Sequence, residues 1–218
     1  MKRLSPYFLG LLCALLTFSA CSDDESNDPD PSLSLEVQEA TDIPADTDVT
    51  PGDPSLAPPP NYTFYSLEQG AIIDKADSNS TQWDIALAGT TILVNGGTSG
   101  PGQGEAQIVE GVFEEIEEAP ETGYQTDSET GLAISSGSGS GWYTYTAESN
   151  PPNAILPIPG RVILLRTAEG NYAKIEIISY YQGNPDTSTD EFANYQTRPP
   201  SRYYTFRYVL QPDGSRNF

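Results

Sequence analysis

From Asn61 to the C-terminus, apolar residues recur with a spacing close to two, the period of a strand that buries one face. On that pattern residues 62–67, 83–87, 91–94, 107–113, 142–146 and 161–167 read as strands, with 172–181 and 202–210 the two longest. In 202–210, Tyr204, Phe206, Tyr208 and Leu210 share one face, and Tyr203, Thr205, Arg207 and Val209 take the other. Turn chemistry agrees. Ala168-Glu169-Gly170-Asn171 predicts a short hairpin, and Pro212-Asp213-Gly214 ends the last strand. Residues 95–102 and 135–141 are glycine-rich loops, and one helical turn is expected at 114–119. No segment carries a long 3.6-residue period. Closely spaced strands divided by Gly/Pro turns predict an all-β domain of packed antiparallel sheets, sandwich or barrel-like, with little helix.

The first sixty residues follow other rules. Lys2 and Arg3 precede an apolar run at 9–18, and Ser19-Ala20-Cys21 follows it. The run is shorter than the roughly 20 residues a membrane span needs. It looks like a bacterial lipoprotein signal peptide, in which cleavage occurs before the cysteine and the sulfur is acylated. Several acyl chains on Cys21 would anchor the chain stably, because each buried CH₂ contributes about 0.8 kcal/mol. Ser22-Asp23-Asp24-Glu25 resembles the acidic export signal of Bacteroidota lipoproteins, which implies the outer face of the outer membrane. Residues 22–60 hold eight prolines, eight aspartates and three glutamates, with no Lys or Arg. Such a stretch buries too little apolar surface to offset its ordering entropy and reads as an extended tether. The expected division is signal peptide 1–20, tether 21–60 and β domain 61–218. Residues 32–37 alternate like a strand and are a candidate for docking on the domain.

Composition narrows the chemistry. Of 218 residues, 31 are acidic, 10 are basic and none is histidine, for a net charge of -21. A non-specific nucleic-acid partner is excluded, since counterion release needs clustered Lys and Arg. Met1 is the only methionine, and Cys13 and Cys21 are the only cysteines. Ser/His/Asp and Cys/His catalysis and ordinary zinc spacings are therefore out. The loop at 95–104 lacks the G-K-[ST] ending of a phosphate-binding loop and reads as a structural turn. An acid-pair glycosidase survives the missing histidine. Its candidates are Asp84, Glu114, Glu115, Glu117 and Glu118, with Asp84 expected to point outward and the glutamates to form a solvated face.

Charge is also unevenly spread. Residues 61–160 carry fourteen acids against Lys75 alone, whereas 161–218 carry seven bases against six acids. Arg198, Arg202 and Arg207 lie among Tyr195, Tyr203, Tyr204 and Tyr208. Two readings stand: cross-strand pairing with the stems packed over a sheet, or a rim where Arg meets a ligand carboxylate beside stacked rings.

Several blocks together resemble the HmuY family of Bacteroidota haem-binding surface lipoproteins. They include Tyr62-Thr63-Phe64-Tyr65-Ser66-Leu67, Thr81-Gln82-Trp83-Asp84-Ile85-Ala86 and Asn95-Gly96-Gly97-Thr98-Ser99-Gly100. Ser140-Gly141-Trp142-Tyr143-Thr144-Tyr145, Gly170-Asn171-Tyr172-Ala173-Lys174-Ile175, Ser179-Tyr180-Tyr181 and Tyr203-Tyr204-Thr205-Phe206-Arg207-Tyr208 follow in order. The resemblance implies packed antiparallel sheets, lipid anchoring, and non-enzymatic capture of haem for a TonB-dependent outer-membrane receptor. In haem-binding members two His or two Met side chains hold the iron, and the mature chain has neither. Tyrosine can bind ferric haem, and Tyr124, Trp142, Tyr143, Tyr145 and Arg202 are the expected ligand-binding candidates, with a porphyrin stacked without iron ligation, or another ligand, the equal alternative. Two alternatives remain: a relative without haem binding, serving as transporter accessory or adhesive surface protein, and the acidic-residue glycosidase.

Overall fold

The computed structural model describes residues 35–47 and 59–218. The signal peptide, Cys21 and the acidic run after it lie outside the described residues. Two sheets and a hairpin make up the domain. The larger sheet has the strand order β1 (Gln38–Pro44), β11 (Ser201–Gln211), β10 (Tyr172–Tyr181), β9 (Arg161–Arg166) and β6 (Glu105–Glu110). The smaller runs β3 (Ala71–Ile73), β2 (Thr63–Ser66), β4 (Ile85–Ala88) and β5 (Thr91–Val94). β7 (Tyr143–Tyr145) and β8 (Ile155–Pro157) pair with each other. Every pairing is antiparallel. The architecture is all-β, as the period-two pattern predicts.

The sheets pack face to face. Tyr65, Leu67, Ile85, Leu87, Ile92 and Val94 from one meet Ile163, Leu165, Ile175, Tyr204, Phe206 and Tyr208 from the other. Edge-on aromatic contacts lock the layer, with Tyr65 5.2 Å from Phe206 and Tyr180 5.4 Å from Tyr204. β11 is buried on both faces. Its outward Val209 joins Val162, Leu164 and Phe113, the last from a 3-10 turn at Phe113–Glu115, which overlaps the helical turn expected at 114–119 only at its first two residues. The expected hairpin closes β9 onto β10, where Gly170 takes φ +94°.

The sequence reading misses three strands. β3 has three residues and β8 has a proline, so neither carries a readable alternation. β1 is the larger correction, because it lies inside the segment read as tether. Its five register pairs run from Gln38↔Tyr208 to Pro44↔Tyr203. Ala40, Ile43 and Ala45 are buried against the core, and Arg202 reaches back to Asp46, Nη1 donating to the carbonyl at 2.9 Å. The strandedness of β1 comes from the free edge of β11 rather than from its own composition. As an edge strand it is interrupted by a bulge between Ala40 and Ile43, where Asp42 takes φ 53° and its carboxylate accepts from Gly183 N at 2.8 Å.

A polar knot fastens the sheets. Asp84 accepts Leu67 N at 2.8 Å and Ala168 N at 3.1 Å, one from each sheet's connections. Asp127 accepts Val94 N at 3.0 Å and Ala133 N at 2.8 Å. Asn95, fully buried, donates to Ser80 O and Trp83 O and accepts from Gly102 N. The glycine loop wraps these groups closely. A Cβ on Gly97, at φ +58°, would lie 1.9 Å from Asp127 O, and one on Gly100 would lie 2.1 Å from Asn95 Oδ1. The loop is the structural turn expected of it.

Ile43→Ala tests whether β1 belongs to the folded unit. Truncating a buried isoleucine is expected to lower unfolding stability by about 2–4 kcal/mol. The urea midpoint should move down within a single transition, whereas a tether position would leave the curve in place.

Candidate functional site

β10 outruns β9. Their pairing ends at Ile175↔Ile163, so residues 176–181 lose their partner on that side. Beyond that point β10 twists through two register shifts with β11, at Ile177/Ser179 and Ser179/Tyr181. Ser179 Oγ stabilises the distortion by accepting from Tyr181 N at 3.0 Å and donating to Tyr181 O at 3.1 Å. The β7–β8 hairpin approaches this bare edge, held by one hydrogen bond from Ile155 N to Tyr181 Oη at 3.0 Å. Between them is a groove of about 470 Å³. Residues 155–159, Ile-Leu-Pro-Ile-Pro, form one wall, and Ile177, Ile178 and Tyr180 the other. Pro157, Pro159 and Pro185 bring no N–H to these walls, which keeps them poor in donors. Tyr180 is braced from behind by Trp142 at 5.8 Å and Tyr204 at 5.4 Å.

The expected ligand set does not converge on one place. Trp142 and Tyr143 are core residues, 1% and 7% exposed. Trp142 Nε1 donates to Thr90 O at 3.0 Å, and Tyr143 Oη to Ser136 O at 2.7 Å. Tyr145 is exposed, its hydroxyl donating to Asn153 Oδ1. Arg202 is committed to Asp46. Tyr124 packs in the smaller core beside Tyr172, 6.1 Å away, and burial pushes its phenol up to about 12. Trp142 alone touches the groove, indirectly, through Tyr180.

The three clustered arginines follow the packing reading. Arg207 pairs with Glu176, its register partner on β10, at 2.7 Å, and with Glu114 at 2.5 Å. Arg198 donates to the carbonyls of Pro152, Asn153 and Phe192 while stacking on Phe192 and Tyr195. The groove itself was missed. Its signals were the adjacent Ile177-Ile178 pair, which breaks the alternation of β10, and an apolar run punctuated by prolines.

The carboxylates considered for glycoside hydrolysis are otherwise engaged. Asp84 does not point outward but is 6% exposed. Glu114 and Glu118 pair with Arg207 and Arg216, while Glu115 and Glu117 lie exposed. The cavity beside Asp84 is about 90 Å³, well below the ~300–1,000 Å³ of small-molecule sites. Among the described residues no three His, Cys, Asp or Glu side chains come together as a metal site. No described helix is long and apolar enough to cross a membrane.

A haem in the groove would find ring contacts but no ligand for its iron. Its lining carries no imidazole, thioether or thiolate, and three of its oxygen-bearing side chains are engaged elsewhere. Glu176 holds Arg207, Ser179 bonds the Tyr181 backbone, and Tyr181 Oη accepts from Ile155. Burial raises the Tyr180 phenol well above its usual range, which keeps it protonated. The walls therefore suit the macrocycle, and the donor set does not suit axial ligation.

A family model described as HmuY protein matches residues 59–195. No curated protein matches the chain. Among solved structures, apo PinO from Porphyromonas gingivitis is 13% identical, with 81% of this chain and 97% of that one covered, at a TM-score of 0.47. The apo HmuY analog of Tannerella forsythia is 16% identical, with 82% and 96% covered, at 0.46. A HmuY-like protein from Bacteroides vulgatus is 16% identical, with 68% and 84% covered, at 0.43.

Asp84, away from the groove, gives the fold a pH signature. Burial pushes its carboxyl up to about 6 from the ordinary 3.8, against the pull of its two backbone donors. The folded chain therefore binds this proton more tightly than the unfolded one. The stabilisation is complete below pH ~4 and is lost, up to about 3 kcal/mol, as pH rises through 6. Glu114, Asp186 and Asp213 are held below their ordinary values and act in the opposite sense. Asp84→Asn removes only the first contribution. The stability difference between parent and variant, from urea midpoints at pH 4 to 7, is expected to shift against the parent as pH rises.

Proposed function

Because the chain belongs to the HmuY family, we propose that it is a non-enzymatic surface lipoprotein that captures haem or a related porphyrin. The ligand lies in the groove between β8 and β10 and is passed to a TonB-dependent receptor of the outer membrane. The observation that carries this reading is the groove: about 470 Å³ of isoleucine, leucine, proline and tyrosine wall, within the range of ligand sites. A flat apolar ring gains by leaving water here at ~25 cal/mol per Å² buried. One open side lets it leave again without chemistry. Cys21 and the acidic residues after it supply the lipid anchor and the outward address.

A second reading has one observation in its favour, the absence of His and Met from the mature chain. It makes the protein a family relative that assists a transporter or adheres at the surface without taking haem.

Haemin titration watched at the Soret band separates the two. The capture reading expects saturable binding at micromolar haemin. Ile178, 38% exposed on the groove wall, is the residue to change: Ile178→Glu is expected to weaken binding at least tenfold, from the loss of ~1.5–3 kcal/mol of apolar contact. Absence of a saturable shift in the parent favours the second reading.

A further inference from the structure

We infer that the groove recognises the tetrapyrrole ring and is indifferent to the metal at its centre, so that metal-free porphyrin is as good a ligand as haem. The inference deepens the capture reading and rests on it. Haem iron is held in proteins by His, Met, Cys or Tyr. The chain has no histidine, its one methionine is Met1, and its cysteines are Cys13 and Cys21. That leaves tyrosine, and the groove has two. Tyr181 spends its hydroxyl oxygen on Ile155 N, the bond that holds the hairpin against β10. Tyr180 is 4% exposed, with its ring braced by Trp142 and Tyr204. Burial opposes its ionisation, and a neutral phenol is a poor donor to ferric iron.

What the groove offers instead is the same for every porphyrin. Ile155, Leu156, Ile158, Ile177 and Ile178 present aliphatic surface, with no imidazole nitrogen and no sulfur among the lining side chains. The binding free energy then scales with ring area removed from water and contains no contribution from a metal–ligand bond. Neither Lys nor Arg lines the groove. The ligand's carboxylates, present in haem and metal-free porphyrin alike, are accordingly left at the open side in water. They too give no discrimination between the two.

The test titrates the purified protein in parallel with haemin and with protoporphyrin IX, reading tryptophan fluorescence quenching for both and the Soret band for haemin. Tyr180→Phe is carried alongside as the variant that keeps the ring and removes the last candidate donor. The expected result is two dissociation constants within about threefold, and a haemin Soret band at the same wavelength in parent and Tyr180→Phe. A preference for either ligand above about threefold, or a Soret band that moves in Tyr180→Phe, overturns metal indifference and leaves capture standing. Failure of both ligands to saturate overturns the capture reading, and this inference with it.

Discussion

The carboxylate of Asp84 does what no pair of apolar side chains in this fold does: it holds backbone from both sheets at once. Leu67 N and Ala168 N converge on its two oxygens, and either donor would otherwise be buried without a partner. Such a group is costly to bury, and the raised carboxyl pKa is the measure of that cost. Asp127 and Asn95 repeat the device at the next turn, so that strand ends, the glycine loop and the start of β6 are fixed to one another. The two sheets need this fixing because face-to-face apolar packing is non-directional. Packing can hold the sheets together, and the polar knot sets where each strand stops.

Where strands stop is what makes the groove. β9 has six residues and β10 has ten, and the hairpin end of both is pinned beside Asp84 through Ala168. The surplus of β10 must then project past β9 at the opposite end, leaving the bare edge that β8 approaches without completing a sheet. Trp83-Asp84 and the 95–100 loop thus lie away from the groove and act on it only by setting strand register.

This explains what could be read from the sequence. Eight strands were legible as apolar runs or alternations bounded by Gly/Pro turns, and the inward face of β11 was visible as Tyr204, Phe206, Tyr208 and Leu210. β1 was not, since Ala40, Ile43 and Ala45 are sparse among acids and prolines, and its order comes from β11, at the far end of the sequence. The site was less legible than the fold. Aromatic residues drew attention as ligand contacts, yet Trp142 and Tyr143 were needed to fill the space between sheets. Arg202, Arg198 and Arg207 were needed to close backbone and cross-strand gaps. A groove made from a mismatch of strand lengths has no motif. It becomes readable only once the pairings are known.

The antiparallel seam between β1 and β11 also has a mechanical meaning. Interstrand bonds in such a pair stand perpendicular to the strands. A pull along the chain ahead of Gln38 therefore loads the seam in shear, with the pairs from Gln38↔Tyr208 to Pro44↔Tyr203 sharing the force instead of opening one by one. Gln38 enters level with Ile175, through Tyr208, and the groove wall begins only at Glu176. The pairs that share that load stand directly behind the groove wall, with Glu39↔Arg207 beside Glu176 and Ala40↔Phe206 beside Ile177.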